Sequence, residues 1–235
     1  MPMRIVIIYN QPAPSRYDTA GEEKAVVGVM DAVNAVQQAL LELGHDVSTI
    51  SLLPPLEAVA QKLRGLRADV VFNLFEGFGG CSESEADVAQ ILSETGIPYT
   101  GCPHNALRIA LDKAKTKAML KSIGLKTSDF QLVSPDNLST FRLNFPCIVK
   151  PRCEDASHGL SEESVVNDFP SLQRQVAKMV NLYGKEEALV EEFVSGREFN
   201  LTLLGNSDAR ALAISEIVFA LPAGLPKILT FAAKW

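Results

Sequence analysis

The first hundred residues alternate between runs that suit a strand and runs that suit a helix, and that alternation leaves few folds open. Arg4-Ile-Val-Ile-Ile-Tyr9 contains a continuous apolar run, the pattern of a strand covered on both faces. From Glu22 to Leu43, Val26, Val29, Met30, Val33, Val36, Leu40 and Leu43 recur at helical spacing and make one stripe. Glu22 and Glu23 suit the amino end of that helix, and Gly44 suits its end. His45–Leu52 reads as a strand, Leu56–Leu66 as a helix and Ala68–Phe75 as a strand. Glu83–Glu94 is a helix ended near Gly96 and Pro98, and Ile97–Thr100 is a short fourth strand. The β-α-β-α-β order predicts a parallel sheet with helical crossovers over residues 1–104.

After Gly101 the rhythm changes. Two helical segments, 104–110 and 112–122, lead to short strands at Asp129–Val133 and Cys147–Arg152. A helix at Pro170–Tyr183 follows, with Asp168 near its start and Gly184 just past its end. Then come β-rich stretches at Glu187–Val194, Arg197–Leu204 and Ala209–Phe219. This divides the chain into an α/β domain (1–104) and an α+β part, itself split into 105–186 and 187–235. No internal repeat or low-complexity linker occurs.

Composition narrows the function classes. A net charge of −6 with both signs spread along the chain gives no clustered basic face, so nucleic acid is not an expected partner. No stretch approaches the ~20 apolar residues that span a bilayer, and the short run before Asn10-Gln-Pro reads as a buried first strand rather than a signal peptide. Cysteines at 81, 102, 147 and 153 match neither a CxxC metal site nor a disulfide framework. Reduced thiols, with Cys147 and Cys153 partly buried, and a cytoplasmic location are expected.

A nicotinamide or flavin site is disfavoured, because Asn10-Gln-Pro-Ala-Pro stands where glycines should follow the first strand. No Walker A sequence occurs either. Pro146-Cys-Ile-Val-Lys-Pro151 places a lysine at the end of an apolar strand, which is unfavourable unless it meets an anion. Ser157 and Gly159 in the next turn could offer a hydroxyl and backbone N–H groups to phosphate. An ordinary strand and loop would read the same way. Downstream, Ala188-Leu-Val-Glu-Glu-Phe-Val194 could offer backbone N–H and C=O at Glu192 and Val194 to an adenine edge, with Glu198 spaced for ribose hydroxyls. A hairpin with an acidic face has the same pattern.

The combination is more specific than its parts. Asp112-Lys113 opening a helix, Ile-Val-Lys-Pro, the Ser-x-Gly loop, Val-Glu-Glu-Phe-Val-Ser-Gly-Arg-Glu and Ala-Lys-Trp occur together, with Gly96-Ile-Pro-Tyr-Thr-Gly101 upstream. In that order they resemble the D-alanine–D-alanine ligase-like branch of the ATP-grasp fold, over essentially the whole chain. The resemblance implies a parallel-sheet pre-ATP-grasp domain followed by an α+β ATP-grasp domain. It implies ATP and small amino acids as partners, with a homodimer allowed, and a place in peptidoglycan biosynthesis. Lys113 and Lys150 match lysines at the ATP phosphates, Ser157 and Gly159 the loop over them, and Lys234 a later lysine at the γ-phosphate. Glu191, Glu192, Phe193 and Val194 match the adenine segment, and Glu198 the ribose acid. Lys234 and Ser157 are thus the expected catalytic groups.

The resemblance has departures. The phosphate loop carries Ala156-Ser157 where paired serines are usual, and Phe75-Glu76-Gly77 replaces a His-Gly segment. The glutamate that anchors the first amino acid has Glu22 and Glu23 as candidates, and Glu76 is a third substrate-side acid. The family's magnesium ligands come after Ala-Lys-Trp, so no metal ligand is assigned here and the ATP-grasp domain is expected to be truncated in its C-terminal part. Glu216 is read as a strand-end carboxylate near the cleft rather than as a substitute ligand. A ligase for other amino acids, and a nucleotide- or partner-binding protein without catalysis, stay open as alternatives.

Overall fold

The computed structural model describes residues 1–235 except 16, 19, 20, 23, 25–27, 185, 186 and 223. Strand β1 (Arg4–Asn10) lies between β2 (Asp46–Leu52) and β3 (Val70–Leu74), both parallel to it. Side chains alternate along a strand, so the central one must be apolar on both faces. Ile7 packs with Val29 and Val33 of α1 (Val29–Glu42), whereas Val6 and Ile8 face the opposite way. That second face is closed by Val59 and Leu63 of α2 (Leu56–Arg64) and by Val88 and Leu92 of α3 (Ser84–Thr95).

Two sequence expectations change here. The regular part of the first helix begins at Val29, and Glu23 and Val26 lie outside the described residues. The expected fourth strand at Ile97–Thr100 is reduced to one parallel bridge between Val71 and Tyr99. Val71 N–H donates to the Pro98 carbonyl and Thr100 N–H to the Val71 carbonyl. Pro98 has no N–H with which to extend the ladder.

Helices α4 (His104–Leu111) and α5 (Lys113–Ser122) lead to an antiparallel sheet of order β4-β7-β5-β6. Its strands are Phe130–Val133, Ala188–Glu192, Cys147–Pro151 and Val165–Val166 respectively. Helix α6 (Phe169–Tyr183) covers one face, setting Leu172, Val176, Met179 and Tyr183 against Val133, Cys147, Val149 and Val190. Asp168 caps α6 by accepting from Ser171 N–H, and Gly184 ends it at φ 60°, a conformation glycine adopts without strain. Cys147 is buried, Cys153 half-buried, and Cys81 and Cys102 exposed. Burial, then Glu192, pushes the Cys147 thiol up to about 11.

The hairpin of β8 (Glu198–Leu204) and β9 (Arg210–Ile217) stands apart from both sheets, with Leu201, Leu203 and Ile214 exposed. The short helix α7 (Phe231–Lys234) returns to the loop after β5, where Phe231 N–H donates to the Leu160 carbonyl. Among the described residues no helix is long and apolar enough to cross a membrane.

Candidate functional site

The site begins where α5 meets the end of β5. Asp112 caps α5 by accepting from the N–H groups of Ala114 and Lys115. The same carboxylate takes both Nε and Nη2 of Arg152, at 3.1 and 2.9 Å. Burial opposes the charge on Asp112, but Arg152 and the cap hold its pKa below the ordinary carboxylate range. This fork fixes the helix start against the strand end, and so places Lys113 beside Lys150. Asp112→Ala should lower stability by about 2–3 kcal/mol, combining a lost cap with an arginine stripped of its main partner. Thermal melts of the two proteins check this.

Lys113, Lys117, Lys150 and Glu191, with Ala110, Thr116 and Leu189, line a pocket of about 200 Å³. Glu191 sits between two lysines: Lys150 Nζ is 2.5 Å from one carboxylate oxygen and Lys117 Nζ 2.6 Å from the other. Burial works to raise the Glu191 carboxyl, but Lys150 and Lys117 together outweigh it and its pKa is lowered. Lys113 is driven the other way: burial first, then repulsion from Lys150, lowers its pKa. Its Nζ donates to the Glu154 carbonyl.

The loop after β5 is held from beneath. Ala156 and Ser157 have φ of 46° and 64°, a left-handed conformation that strains residues with a Cβ. Gly159 also has positive φ, and a Cβ there would meet Tyr183 at 2.9 Å and Met179 and Pro151 at 3.0 Å. The clamp is Glu22, a buried carboxylate that accepts from Gly159 N–H at 2.8 Å and Tyr183 O–H at 2.8 Å. Its Oε2 also shares a hydrogen bond of 2.7 Å with His158 Nδ1. Burial opposes the Glu22 charge, yet these bonds prevail and its pKa is lowered. His158 stacks between Tyr17 and Phe231, and Trp235 Nε1–H donates to the Ala156 carbonyl.

Above this loop a polar cavity of about 470 Å³ is lined by Asn10, Glu76, Glu85, Asp155, His158 and Lys234, among others. Glu76 lies at the exposed mouth, yet burial and then Asp155 raise its pKa against the pull of Lys234. Glu85 is raised to about 7, first by burial and then by Asp155 and Glu76. Such a cavity can hold an ammonium group on its acidic side and an anion at Lys234.

The sequence-predicted residues therefore fall into separate groups. Lys113, Lys150 and Glu191 share the smaller pocket, while Glu76 and Lys234 line the larger. Ser157 and Gly159 belong to the loop between them, and Glu22 lies beneath that loop. Glu23 is outside the described residues. Glu192 accepts from Asn144, and its N–H already donates to the Asp129 carbonyl, so a purine cannot take that N–H without displacing the bond. Phe193 N–H donates to the Pro146 carbonyl, and Val194 is 73% exposed. Glu198 opens β8. Glu216, read from sequence as lying near the cleft, is instead tied by both oxygens to Arg197 on the exposed hairpin. Among the described residues no three His, Cys, Asp or Glu are placed to hold a metal ion.

Sequence reasoning passed over Lys117, Glu85 and Asp155. Lys117 lies in a lysine-rich stretch, Lys113 to Lys121, that reads as a solvated helix face. Its partners, the half-buried Thr127 and Ser128 and the buried Glu191, come from later segments.

A family model described as D-ala D-ala ligase C-terminus matches residues 119–234. A D-alanine--D-alanine ligase of Gluconobacter oxydans is 32% identical over 202 residues, covering 86% of this chain and 62% of that protein. One from Aquifex aeolicus is 34% identical over 186 residues, covering 78% and 59%. Among solved structures, the VanG D-Ala:D-Ser ligase of Enterococcus faecalis superposes with a TM-score of 0.64 at 16% identity, over 92% of this chain and 70% of that one. The D-alanine–D-alanine ligase of Helicobacter pylori gives 0.62 at 20% identity, over 94% and 75%. The fold is the ATP-grasp one of these ligases. The family model, the curated relatives and the solved structures together support a D-alanine–D-alanine ligase-like ATP-grasp protein. It spans about 60% of the length of the curated relatives it matches.

Proposed function

We propose that this chain supplies nucleotide- and substrate-binding parts of an ATP-dependent carboxylate–amine ligase, which joins amino acids through an acylphosphate. The observation that carries this reading is the lysine pocket. Lys113, Lys117 and Lys150 line one pocket with a single carboxylate, Glu191, and the excess positive charge suits a polyphosphate.

In the proposed reaction a substrate carboxylate oxygen attacks the γ-phosphorus, the bond to the β-phosphate oxygen breaks, and ADP leaves. An amine then attacks the acyl carbon, phosphate departs, and the amine nitrogen gives up a proton. The protein needs no nucleophile of its own; positioning and charge neutralisation do the work. Lys113 and Lys150 would take phosphate oxygens, and Lys234 would face the acyl-transfer side of the cavity. Family resemblance adds magnesium, but the described residues gather no metal-ligand set. A polypeptide of residues 1–235 is accordingly proposed to bind nucleotide with little turnover. A cytoplasmic location and a role in peptidoglycan precursor synthesis follow from the same reading.

A ligase for amino acids other than D-alanine is the second reading, favoured by the acidic side chains of Glu76, Glu85 and Asp155 around the cavity. One experiment addresses both: ATP-dependent phosphate release, screened with D- and L-amino acids, on residues 1–235 and on any longer polypeptide containing them. Turnover in the longer form with D-alanine alone supports the first reading, and turnover with another amino acid the second. Magnesium-dependent amide formation by residues 1–235, lost on Lys150→Ala, would refute the proposed low turnover.

A further inference from the structure

Glu191 is shared between two lysines whose surroundings differ. Lys150 lies in the pocket with its side chain 25% exposed, and Glu191 is its only carboxylate within ion-pair distance among the described residues. Lys117 is deeper, 10% exposed, and its ammonium is fully occupied. It donates to Thr127 Oγ1 at 2.6 Å and Ser128 Oγ at 3.0 Å, and pairs with Glu191 Oε2 at 2.6 Å. Ser128 Oγ also lies 3.2 Å from that same carboxylate oxygen. One oxygen of Glu191 is thus fixed by a buried lysine and a serine, and the other holds the lysine at the pocket.

Resting on the nucleotide reading above, we infer that Lys117 is a positioning residue that lets Lys150 exchange the Glu191 carboxylate for a nucleotide phosphate. If Lys150 were the sole partner of Glu191, moving it to a phosphate would strand a buried carboxylate, a state that is strongly disfavoured. Lys117 removes that obstacle, because Glu191 stays paired and hydrogen-bonded when Lys150 leaves. Lys117, on α5, donates to three acceptors, Thr127 and Ser128 from the segment before β4 and Glu191 from β7, so it does not follow. Lys117 acts through Glu191 and need not touch the nucleotide.

The test is a set of calorimetric titrations with ATP, ADP and adenosine, run on the 235-residue chain and on Lys117→Met, Lys117→Arg, Glu191→Gln and the Lys117→Met/Glu191→Gln double variant. Lys117→Met should weaken ATP and ADP about tenfold or more while changing adenosine less than twofold, and Lys117→Arg should retain most of the affinity. In the Glu191→Gln background, where no carboxylate competes for Lys150, adding Lys117→Met should change ATP affinity less than twofold. This non-additivity separates positioning from damage to the fold, and the double variant, which removes both charges, covers the case in which Lys117→Met alone folds poorly. An undiminished ATP affinity in Lys117→Met would overturn the inference. So would an equal loss for ATP and adenosine, or a loss that persists unchanged without Glu191. Failure of the wild-type chain to bind ATP or ADP at all would instead refute the nucleotide reading, and this inference with it.

Discussion

Lys150→Ala is expected to weaken ATP binding by on the order of 2–5 kcal/mol, between about thirtyfold and several thousandfold. The ammonium sits at the end of a β-strand whose neighbouring side chains Cys147, Ile148 and Val149 are buried, so its charge acts where water screens it poorly. Phosphate oxygens arriving there would lose part of their hydration, and a lysine is the group that offsets the loss. Lys113 cannot fully replace it, because its Nζ is engaged with the Glu154 carbonyl and its pKa is already lowered by burial and by Lys150. The fold should survive the change, since Glu191 keeps Lys117 and Ser128. Isothermal titration with ATP and a slowly hydrolysed analogue measures the effect, with thermal melts as the control for folding. Equal affinity in wild type and variant would sink the assignment of Lys150 to a phosphate.

Fold and site were legible in the sequence to different depths, for physical reasons. The parallel sheet could be read because a strand covered on both faces has to be apolar throughout, and Ile5 to Ile8 meet that demand. Both ends of α6 could be read, from Asp168 and Gly184, because capping is local chemistry. The extent of pairing beyond β3 was less legible, since one proline decides how far a ladder runs. Lys113 and Lys150 stand out because each lies in a short motif with its own constraint, a helix start and a buried strand end. Lys117 has no such marker: what distinguishes it from Lys115 or Lys121 is a carboxylate more than seventy positions away. Glu22 shows the same limit from the other side. An acid near the amino end of a helix was readable, but not that its carboxylate would bind Gly159, His158 and Tyr183 across the fold.

Glu22→Ala should therefore be among the most destabilising single changes in the chain, by about 3–5 kcal/mol. Its carboxylate is 8% exposed and satisfies Gly159 N–H, Tyr183 O–H and His158 Nδ1 together. Removing it takes the shared acceptor from all three groups at once, beside a loop already strained at Ala156 and Ser157. For a chain of this size the drop corresponds to roughly 6–20 °C in Tm. The sign of the pH effect follows from the lowered Glu22 pKa. A carboxyl whose pKa is lower folded than unfolded contributes stability that is complete above the ordinary glutamate range. That contribution is lost as pH falls through the lowered, folded-state value. Glu191 and Asp112 titrate in the same direction, so the diagnostic quantity is the difference between wild type and variant. That difference should be largest near neutral pH and shrink as acid protonates Glu22. Glu22→Gln, which keeps one acceptor oxygen, should fall between the two and show the flatter acid limb of the alanine variant. Melting curves taken from pH 7 down to about 3 test this directly. Parallel acid limbs for all three proteins would mean that the Glu22 charge does not hold the loop.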